Sequence, residues 1–448
     1  MGPASPPQTW LVIFDPTLKS LDGHSRNYDV AIAEAARDWF DRVVLFSDRS
    51  FIEDSPRDLT LRPIPESLTI RALRGAARRI APRRDSAALP NSPVRAPRSL
   101  QRLWMHLRAR GFADSVARCL AGLLIGPTDR IHVLIQQADL YEISGVNQYW
   151  RRYAAFTAPP ITFHLILRHD SDITRARQED PAEFRDRLIR LSSSTHPRVI
   201  FHTDSEAIAS DYGSFTDRQV PINVVPIPVC RLAESMRRPW PTHAADCLRI
   251  AIMGSSRLER GFGTLATLIT QLPPRFSDTR VCLTVQVNRC SADPHVRQII
   301  RWLDTRVIQN SPDTPVLELW DGPATDDVYF GRFADSDILI APYTSLKYVR
   351  STSGVFVEAL YLGVPAVVMH GTWAAGILQD ALHCGFAIGE IAVGIGEIPS
   401  RVQRLWERLS HYKNDLRRYL EVWKARHSTN IAKHLLTSAP GGYAATAE

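Results

Sequence analysis

The sequence predicts an α/β protein made of two doubly wound, Rossmann-like domains that face a cleft. Short apolar runs alternate with helical patterns in the first half of the chain, and the alternation begins again in the second half. Strands interleaved with helices are typical of right-handed βαβ units and a parallel sheet. Between the halves, the stretch 229–247 is rich in proline and charge and lacks an apolar period, which indicates an interdomain linker.

The predicted strands are short apolar runs. In the first domain, 8–228, they are Trp10–Phe14, Val43–Phe46, Ile131–Ile135, Ile161–Leu167, Val199–Phe201 and Ile222–Val225. In the second domain, 248–410, they are Leu248–Met253, Val281–Val287, Val316–Leu319, Ile338–Ala341 and Ala366–Met369. Ligands of doubly wound sheets bind at the carboxyl ends of the strands, so we expect the functional residues there.

The composition is that of a globular protein without a membrane-spanning segment. The chain has 448 residues, of which 44% are hydrophobic and 23% charged, which is enough apolar material for two cores. It shows neither the run of about 18–20 apolar residues that a spanning helix needs nor a signal-peptide pattern. The six cysteines are scattered without a C-x-x-C pair, which favours reduced thiols in a cytoplasmic protein over a zinc or redox site.

Basic charge is concentrated in an insertion of the first domain at about 50–125. Eleven arginines and a single acid, Asp85, lie between Arg71 and Arg110, although the whole chain has a net charge of only +7. Such a patch attracts an anionic membrane surface or a phosphorylated acceptor, but a solvated arginine-rich loop would have the same composition. We do not expect nucleic acid as a partner, because no nucleic-acid motif accompanies the arginines.

The most informative segment begins at Ser351 and reads S-T-S-G-V-F-V-E-A-L-Y-L-G-V-P-A-V-V. Ser353 is a good helix N-cap, and Gly354 lets a ligand approach the backbone at the positive end of the helix dipole. Glu358 lies about a turn further on among apolar residues, where a carboxylate needs a partner such as a ribose or sugar hydroxyl. An ordinary helix–turn–strand unit with a solvated glutamate would give the same pattern, so these residues alone leave both interpretations open.

A second segment, I-M-G-S-S-R-L-E-R-G-F from Ile252, places Gly254, Arg257 and Arg260 after the first strand of the second domain. Two cations at the carboxyl end of a strand can neutralise a leaving diphosphate, and arginine makes bidentate contacts with phosphate. The alternative is a pair of solvated arginines at a helix start, although a helix N-terminus disfavours cations.

Both segments resemble the family 4 glycosyltransferases and their GT-B relatives, which carry S-G-x-x-x-E-A-x-x-x-G-x-P-x-V and G-x-x-R-x-x-K-G. The resemblance implies the GT-B fold, a nucleotide-sugar donor held by the second domain, and no metal or other cofactor. By this resemblance, Glu358 binds the donor ribose, and the N–H groups near Ser353 and Gly354 face the diphosphate. Arg257 and Arg260 take the positions of the family's Arg and Lys.

In the first domain, the resemblance points to a glycine and two histidines. The family often has glycines in the loop after the first strand, where this chain has Asp22-Gly23-His24. The family also places an active-site histidine, which contacts the transferred sugar, at a later strand end, where this chain has His169. We therefore expect His169 to be the catalytic histidine, with His24 as the second choice, whereas His164 is expected to pack inside its strand.

One departure concerns two glutamates that retaining members of the family carry eight positions apart. Counting back from Glu358 gives Arg350, so the first carboxylate, which contacts the transferred sugar, is missing. Arg350 could hold an acidic sugar or a phosphate, and a bacterial subgroup with R-x-x-S-G and G-T-W elements resembles this chain in carrying Arg here. Retaining and inverting stereochemistry both stay open. The D-x-D patterns at Asp170–Asp172 and Asp335–Asp337 are too short to predict a metal site.

The predicted function is the metal-independent transfer of a sugar from a nucleotide-sugar donor to a saccharide or lipid-linked acceptor. The insertion around Arg71–Arg110 would present a lipid-linked acceptor or dock a cytoplasmic enzyme on the inner membrane face. The resemblance also implies that a charged helix over 411–436 crosses back to the first domain. Two alternatives stay open, which are a non-catalytic nucleotide-binding module and a nucleotide-sugar epimerase of the same fold.

Overall fold

The chain forms two compact units, the first of which comprises Met1–Ser20, Ile32–Ile227 and Thr429–Glu448, and the second Leu21–Ala31 and Pro228–Ser428. Among the predicted features, Gly23, Asp172, the basic stretch 66–97 and the linker residues 238–246 lie outside the described residues. The computed structural model describes residues 6–16, 18, 24–48, 60–65, 98–153, 159–171, 180–195, 198–227, 231–237, 247–254, 256–276, 278–309, 315–322, 325–343, 347–427 and 431–437.

The first unit is built on a parallel sheet. Its strands are β1 (Thr9–Asp15), β2 (Arg42–Ser47), β3 (Thr60–Pro63), β4 (Arg130–Ile135), β5 (Ile161–Ile166), β6 (Arg198–Thr203) and β7 (Ile222–Val224). They lie in the order β3-β2-β1-β4-β5-β6-β7, and every neighbouring pair is parallel. The central strands are nearly continuous apolar runs because both faces of the sheet are covered, which is how parallel sheets are normally buried.

Helices cover this sheet, and two of them begin at recognisable capping residues. Asp180 and Ser205 cap two of them with side-chain oxygens that accept backbone N–H groups of the first turn. One long helix packs closely on the next, since a Cβ at Gly145 would collide with the ring of Phe112. The helices are α1 (His24–Ala36), of which only Ile32–Ala36 belongs to the first unit, α2 (Arg98–Ala121), α3 (Leu140–Tyr153), α4 (Pro181–Ser192) and α5 (Glu206–Phe215).

The second unit repeats the arrangement. Its strands are β8 (Cys247–Ile252), β9 (Arg275–Phe276), β10 (Thr279–Val287), β11 (Val316–Asp321), β12 (Ile338–Ala341), β13 (Ala366–Met369) and β14 (Gly389–Ala392). The order is β11-β10-β8-β12-β13-β14, in parallel, with the short β9 antiparallel to β10. Its helices are α6 (Arg231–Ser235), α7 (Leu265–Gln271), α8 (Pro294–Gln309), α9 (Asp326–Ala334), α10 (Lys347–Arg350), α11 (Gly354–Leu362), α12 (Trp373–His383), α13 (Ile398–Glu407) and α14 (Leu409–His427).

The C-terminal region differs from the single helix expected over 411–436. The structure has two helices there, α14 in the second unit and α15 (Ile431–Thr437) in the first. The apolar face of α14, which includes Leu416, Tyr419, Leu420 and Trp423, is buried.

The expectation of six reduced thiols is wrong for one pair. Cys247 and Cys282 form a disulfide between the neighbouring strands β8 and β10, with Cα atoms 6.2 Å apart. Their separation of 35 residues hid the pairing, because only the register of the two strands brings them together. Among the described residues, no helix is long and apolar enough to cross a membrane.

Candidate functional site

The carboxyl ends of the second unit's strands meet around Gly254. This glycine follows β8 with a φ of 102°, and its N–H donates to Gln286 Oε1 at 2.7 Å, near the end of β10. A Cβ at this position would collide with Arg260 Nη1 and would lie 3.1 Å from Val355 Cγ2 in the first turn of α11. One small space at this sheet edge is therefore bordered by the end of β8, the guanidinium of Arg260 and the start of α11.

A tight turn places Arg260 there. Leu258–Arg260 forms a single 3₁₀ turn, which ends at Gly261 with a φ of 75°. A Cβ at Gly261 would overlap the carbonyl oxygen of Pro342, the residue after β12, so only glycine allows the loop to lie against that strand end. The backbone contact fixes where the Arg260 side chain starts.

The guanidinium of Arg260 is held on one side only. Its Nε donates to the Tyr348 hydroxyl at 2.8 Å, whereas Nη1 is buried and has no hydrogen-bond partner among the described residues. Burial lowers the pKa of Arg260, but the phenol oxygens of Tyr343 and Tyr348 outweigh burial, and the pKa lies above its ordinary value. A buried, charged N–H without a partner is costly, and an anion bound beside Gly254 would satisfy it.

The first turn of α11 lies next to this cation. Ser353 is the N-cap, and its Oγ accepts from the Phe356 N–H at 3.3 Å and lies 3.1 Å from the Tyr343 hydroxyl. Gly354, the first helical residue, is exposed. Helix N-termini present N–H groups without intrahelical acceptors and the positive end of the dipole, which together favour an anion.

Glu358 is buried in the same helix. The helix α11 is apolar on all sides, and each residue from Val355 to Leu362 is buried, with Glu358 5% exposed, so the carboxylate is largely removed from bulk water. The Tyr329 hydroxyl of α9 donates to Glu358 Oε2 at 2.8 Å. Burial, and then the neighbouring Glu358, raise the pKa of Tyr329 well above its ordinary value, so the phenol keeps the proton that it donates. Tyr329 is therefore a hydrogen-bond partner of the kind that a carboxylate in apolar surroundings needs.

The two remaining predicted donor residues, Arg257 and Arg350, lie on neighbouring segments of the chain. Arg257 is about half exposed, and its Nη1 is 3.9 Å from Glu259 Oε1, which is a weak surface pair. Arg350 is the last residue of α10 and is partly exposed. The structure thus brings together Gly254, Arg260 and the Ser353–Gly354 helix start.

In the first unit, polar residues at four strand ends form one network. Gln136 Nε2 donates to Asp15 Oδ2 at 2.9 Å, and Arg168 Nε donates to the Gln136 carbonyl at 2.9 Å. Arg168 Nη1 also lies 3.1 Å from Asp204 Oδ2. These contacts join the ends of β1, β4, β5 and β6, and they fix the residue that precedes His169. His169 itself is partly buried beside this network, while His24 is the first residue of α1.

Sequence reasoning missed Asp15, Gln136 and Asp204, although a signal existed. Each is a buried polar residue that ends or directly follows an apolar strand, and such residues gather at one edge of a parallel sheet. It also missed Tyr329 and Tyr348, which no pattern marks, because their roles depend on contacts between different helices.

His164 lies within β5 and is fully buried, as expected for a packing residue. It belongs to a hydrogen-bonded row, with His132 Nδ1 2.9 Å from His164 Nε2 and His164 Nδ1 2.9 Å from His202 Nε2. Burial lowers the pKa of His132 to about 4 and of His202 to about 3. The row is therefore neutral near pH 7 and stabilises the interior of the first unit.

The D-x-D pattern at Asp335–Asp337 has a structural role. Asp337 Oδ2 accepts the Arg249 N–H at 3.1 Å, and its Oδ1 lies 3.2 Å from Lys413 Nζ. Within the ranges that the structure describes, no three His, Cys, Asp or Glu residues are grouped so that they could hold a metal ion.

Solved structures share this architecture over nearly the whole chain. Trehalose-6-phosphate synthase from E. coli, bound with UDP-2-fluoro glucose, is 12% identical with a TM-score of 0.62, and the match covers 95% of this chain and 98% of that chain. The fold is GT-B. A Burkholderia multivorans trehalose-6-phosphate synthase matches this GT-B chain at 13% identity and a TM-score of 0.62, with coverages of 96% and 95%. Anabaena HepE in complex with UDP matches at 12% identity and 0.56, with coverages of 96% and 98%. No family model and no curated protein matches the sequence.

Proposed function

We propose that this GT-B protein is a metal-independent glycosyltransferase whose second unit binds a nucleotide-sugar donor beside Gly254. The observation that carries the proposal is the buried Nη1 of Arg260, which has no partner among the described residues and adjoins the start of α11. A cation and a helix N-terminus at one point form a site for a diphosphate. Both would also stabilise the charge that develops on the leaving diphosphate, the task that a metal performs elsewhere.

The donor would lie along α11. Its diphosphate would contact Arg260 and the N–H groups near Ser353 and Gly354, with Arg257 and Arg350 at the more exposed side. Its ribose hydroxyls would donate to the oxygens of the Glu358 carboxylate. The motif around Glu358 favours family 4 among GT-B enzymes.

A UDP-sugar is the first donor to test. The E. coli and Anabaena structures contain UDP-2-fluoro glucose and UDP, respectively. The acceptor would be a saccharide or a lipid-linked sugar whose hydroxyl replaces the diphosphate at the anomeric carbon. In the first unit, His169 would contact the transferred sugar. Gly23 and His24, which is the first residue of α1, are the other catalytic candidates.

The described part of the basic insertion supports an anionic membrane partner. From Arg98 to Ala113, α2 contains no acidic residue, and Arg102, Leu103 and Arg110 are exposed, Leu103 by 53%. Exposed cations beside an exposed leucine suit the headgroup region of a cytoplasmic leaflet, where both kinds of side chain are stabilised.

A transfer assay tests the proposal. Release of UDP from UDP-glucose and related donors is followed with and without saccharide and lipid-linked acceptors, in the presence of EDTA. We expect acceptor-dependent release that survives EDTA and falls by at least about 100-fold in Arg260→Ala, because one electrostatic donor contributes about that much. The matched control, Arg301→Ala on the exposed face of α8, keeps the wild-type rate.

The other outcomes separate the alternatives. Conversion of the donor without any acceptor would contradict transfer and support an epimerase. Binding of UDP-sugar without release under any condition would support a non-catalytic module, and loss of activity in EDTA would contradict metal independence.

A further inference from the structure

Two tyrosines connect the cation of the candidate donor site to the helix start. Tyr348 accepts a hydrogen bond from Arg260 Nε, and its ring stacks on Tyr343 with centroids 4.3 Å apart. The Tyr343 hydroxyl in turn lies 3.1 Å from Ser353 Oγ, the N-cap oxygen of α11. Both tyrosines are 5% exposed, so the connection runs through the interior of the second unit. The sequence motifs do not include Tyr348, which lies in the short helix α10.

The hydrogen bond from Nε determines where the rest of the guanidinium points. The guanidinium is planar and rigid, so an acceptor that fixes the Nε–H direction also fixes both terminal nitrogens. With Nε directed at Tyr348, Nη1 lies in the space beside Gly254, where it is buried without a partner among the described residues. Without Tyr348, this long side chain would be free to rotate, and binding would have to order it.

At the other end of this connection, Tyr343 has a similar effect on the first turn of α11. Ser353 Oγ accepts from the Phe356 N–H, which keeps the first turn of α11 closed. The contact between Tyr343 and Ser353 ties this cap to the same ring stack that holds Arg260. The cation and the helix N-terminus are therefore held at a fixed separation before any ligand arrives.

We propose that Tyr348 and Tyr343 are positioning residues that pre-organise Arg260 and the α11 N-terminus for the diphosphate group of the donor. This inference rests on the proposed function. It assigns the tyrosines no contact with the donor; they act through Arg260 and Ser353. We expect the two tyrosines to strengthen binding of the phosphates and not of the ribose, because neither tyrosine hydrogen-bonds to Glu358, the proposed ribose ligand.

Calorimetric titration of full-length variants tests the proposal, with UDP, inorganic pyrophosphate and uridine as probes. Tyr348→Phe keeps the ring and its stacking but removes the acceptor of Arg260 Nε. We expect about tenfold weaker binding of UDP and pyrophosphate, in line with the loss of one hydrogen bond to a charged group, and unchanged binding of uridine. Tyr343→Phe should give a smaller loss with the same selectivity for phosphate.

Two controls separate positioning from a general loss of structure. Tyr412→Phe removes another tyrosine hydroxyl of the second unit, one that bonds to Glu390 away from these contacts, and should leave all three affinities unchanged. In the Arg260→Ala background, Tyr348→Phe should have no further effect on UDP or pyrophosphate, because the group that it positions is gone.

The failures of the two proposals can be distinguished. If wild-type protein binds UDP but Tyr348→Phe binds it equally well, the positioning role is overturned while the donor site stands. An equal loss for uridine, or an undiminished loss in the Arg260→Ala background, also overturns it, because Tyr348 would then act on structure rather than through Arg260. If the wild type binds neither UDP nor pyrophosphate at millimolar concentration, the proposed function itself fails.

Discussion

Gly254 and Glu358 are the residues on which the candidate donor site depends most. Gly254 leaves room between the end of β8 and Arg260 Nη1, and Glu358 supplies a buried carboxylate on α11. The sequence singled out both through their resemblance to the family 4 patterns, whereas the residues alone left an ordinary helix–turn–strand unit with a solvated glutamate equally open. It could not predict Tyr329 or Tyr348, since the partner of a buried charge is chosen by the packing of helices that lie apart in sequence.

Gly254→Ala should abolish measurable UDP binding or weaken it at least about tenfold. The added methyl group would occupy the position of Arg260 Nη1, and the φ of 102° would add backbone strain of about 1–3 kcal/mol. The matched control is Gly371→Ala, which has a φ of 74° but no neighbouring atom within 4 Å of its Cβ. The control should be destabilised in urea unfolding yet bind UDP normally. Normal UDP binding by Gly254→Ala would contradict the placement of the diphosphate.

Among the elements, most strands were predicted, including β7 and β11 at sheet edges, whereas β3, β9 and β14 were missed. The runs that became β1, β5, β12 and β13 are buried along almost their whole length, and β10 alternates buried with partly buried residues, so both patterns are visible without any other information. By contrast, β3 is only four residues long and largely exposed, and β9 has two residues. The strand β14, Gly389–Ala392, was missed because it contains a glycine and a glutamate. Its position follows from pairing with β13 rather than from its own composition.

The histidine row across β4, β5 and β6 should make the first unit sensitive to acid. Its pKa values in the folded protein lie below the ordinary 6.5, at about 4 for His132 and about 3 for His202, so the unfolded chain binds protons more readily. The stabilising contribution is complete above about pH 6.5 and is lost as the pH falls toward 4. Urea unfolding at pH 7, 6 and 5 should show this decline, and an unchanged free energy of unfolding would contradict it.

His164→Phe tests the same row at neutral pH. The phenyl ring fills a similar volume but leaves His132 Nδ1 and His202 Nε2 without the contacts that they make in the row. We expect a loss of about 2–4 kcal/mol in the free energy of unfolding, because two buried polar groups lose a partner. Stability within about 0.5 kcal/mol of the wild type would show that the row contributes little.

The disulfide between β8 and β10 gives a further test at the level of elements. A bridge that closes a loop of this size, with a sequence separation of 35, contributes about 2–4 kcal/mol. Dithiothreitol should therefore lower the unfolding midpoint of the wild type but not that of the Cys247→Ser/Cys282→Ser variant. Equal responses of the two proteins would mean that the bridge is absent in solution.

For the molecule as a whole, the sequence pattern that predicts the fold is independent of the net charge. The doubly wound architecture could be predicted from the alternation of strands and helices, whereas the net charge of +7 says nothing about fold. The basic residues are concentrated around α2, and this distribution motivates the proposed membrane contact.

Sedimentation with lipid vesicles tests that contact. Wild-type protein should bind vesicles that contain phosphatidylglycerol, bind pure phosphatidylcholine poorly, and dissociate from the anionic vesicles as salt rises from about 50 to 500 mM. Arg102→Glu/Arg110→Glu should lose most of the binding. The double variant Arg190→Glu/Arg301→Glu makes the same change of charge on exposed faces of α4 and α8 and should retain it. Equal losses in both variants would mean that only net charge matters.

The central claim is that the carboxyl edge of the second unit binds a nucleoside diphosphate through α11 and Arg260. Thermal unfolding with UDP, GDP and their sugar conjugates, for wild type and Glu358→Ala, tests it most directly. A ligand at 100 times its Kd stabilises the folded protein by about 2.7 kcal/mol, which raises the midpoint by several degrees. We expect one nucleotide series to raise the midpoint of the wild type and to have little effect on Glu358→Ala. No shift with any nucleotide at millimolar concentration, or equal shifts in both proteins, would contradict the account.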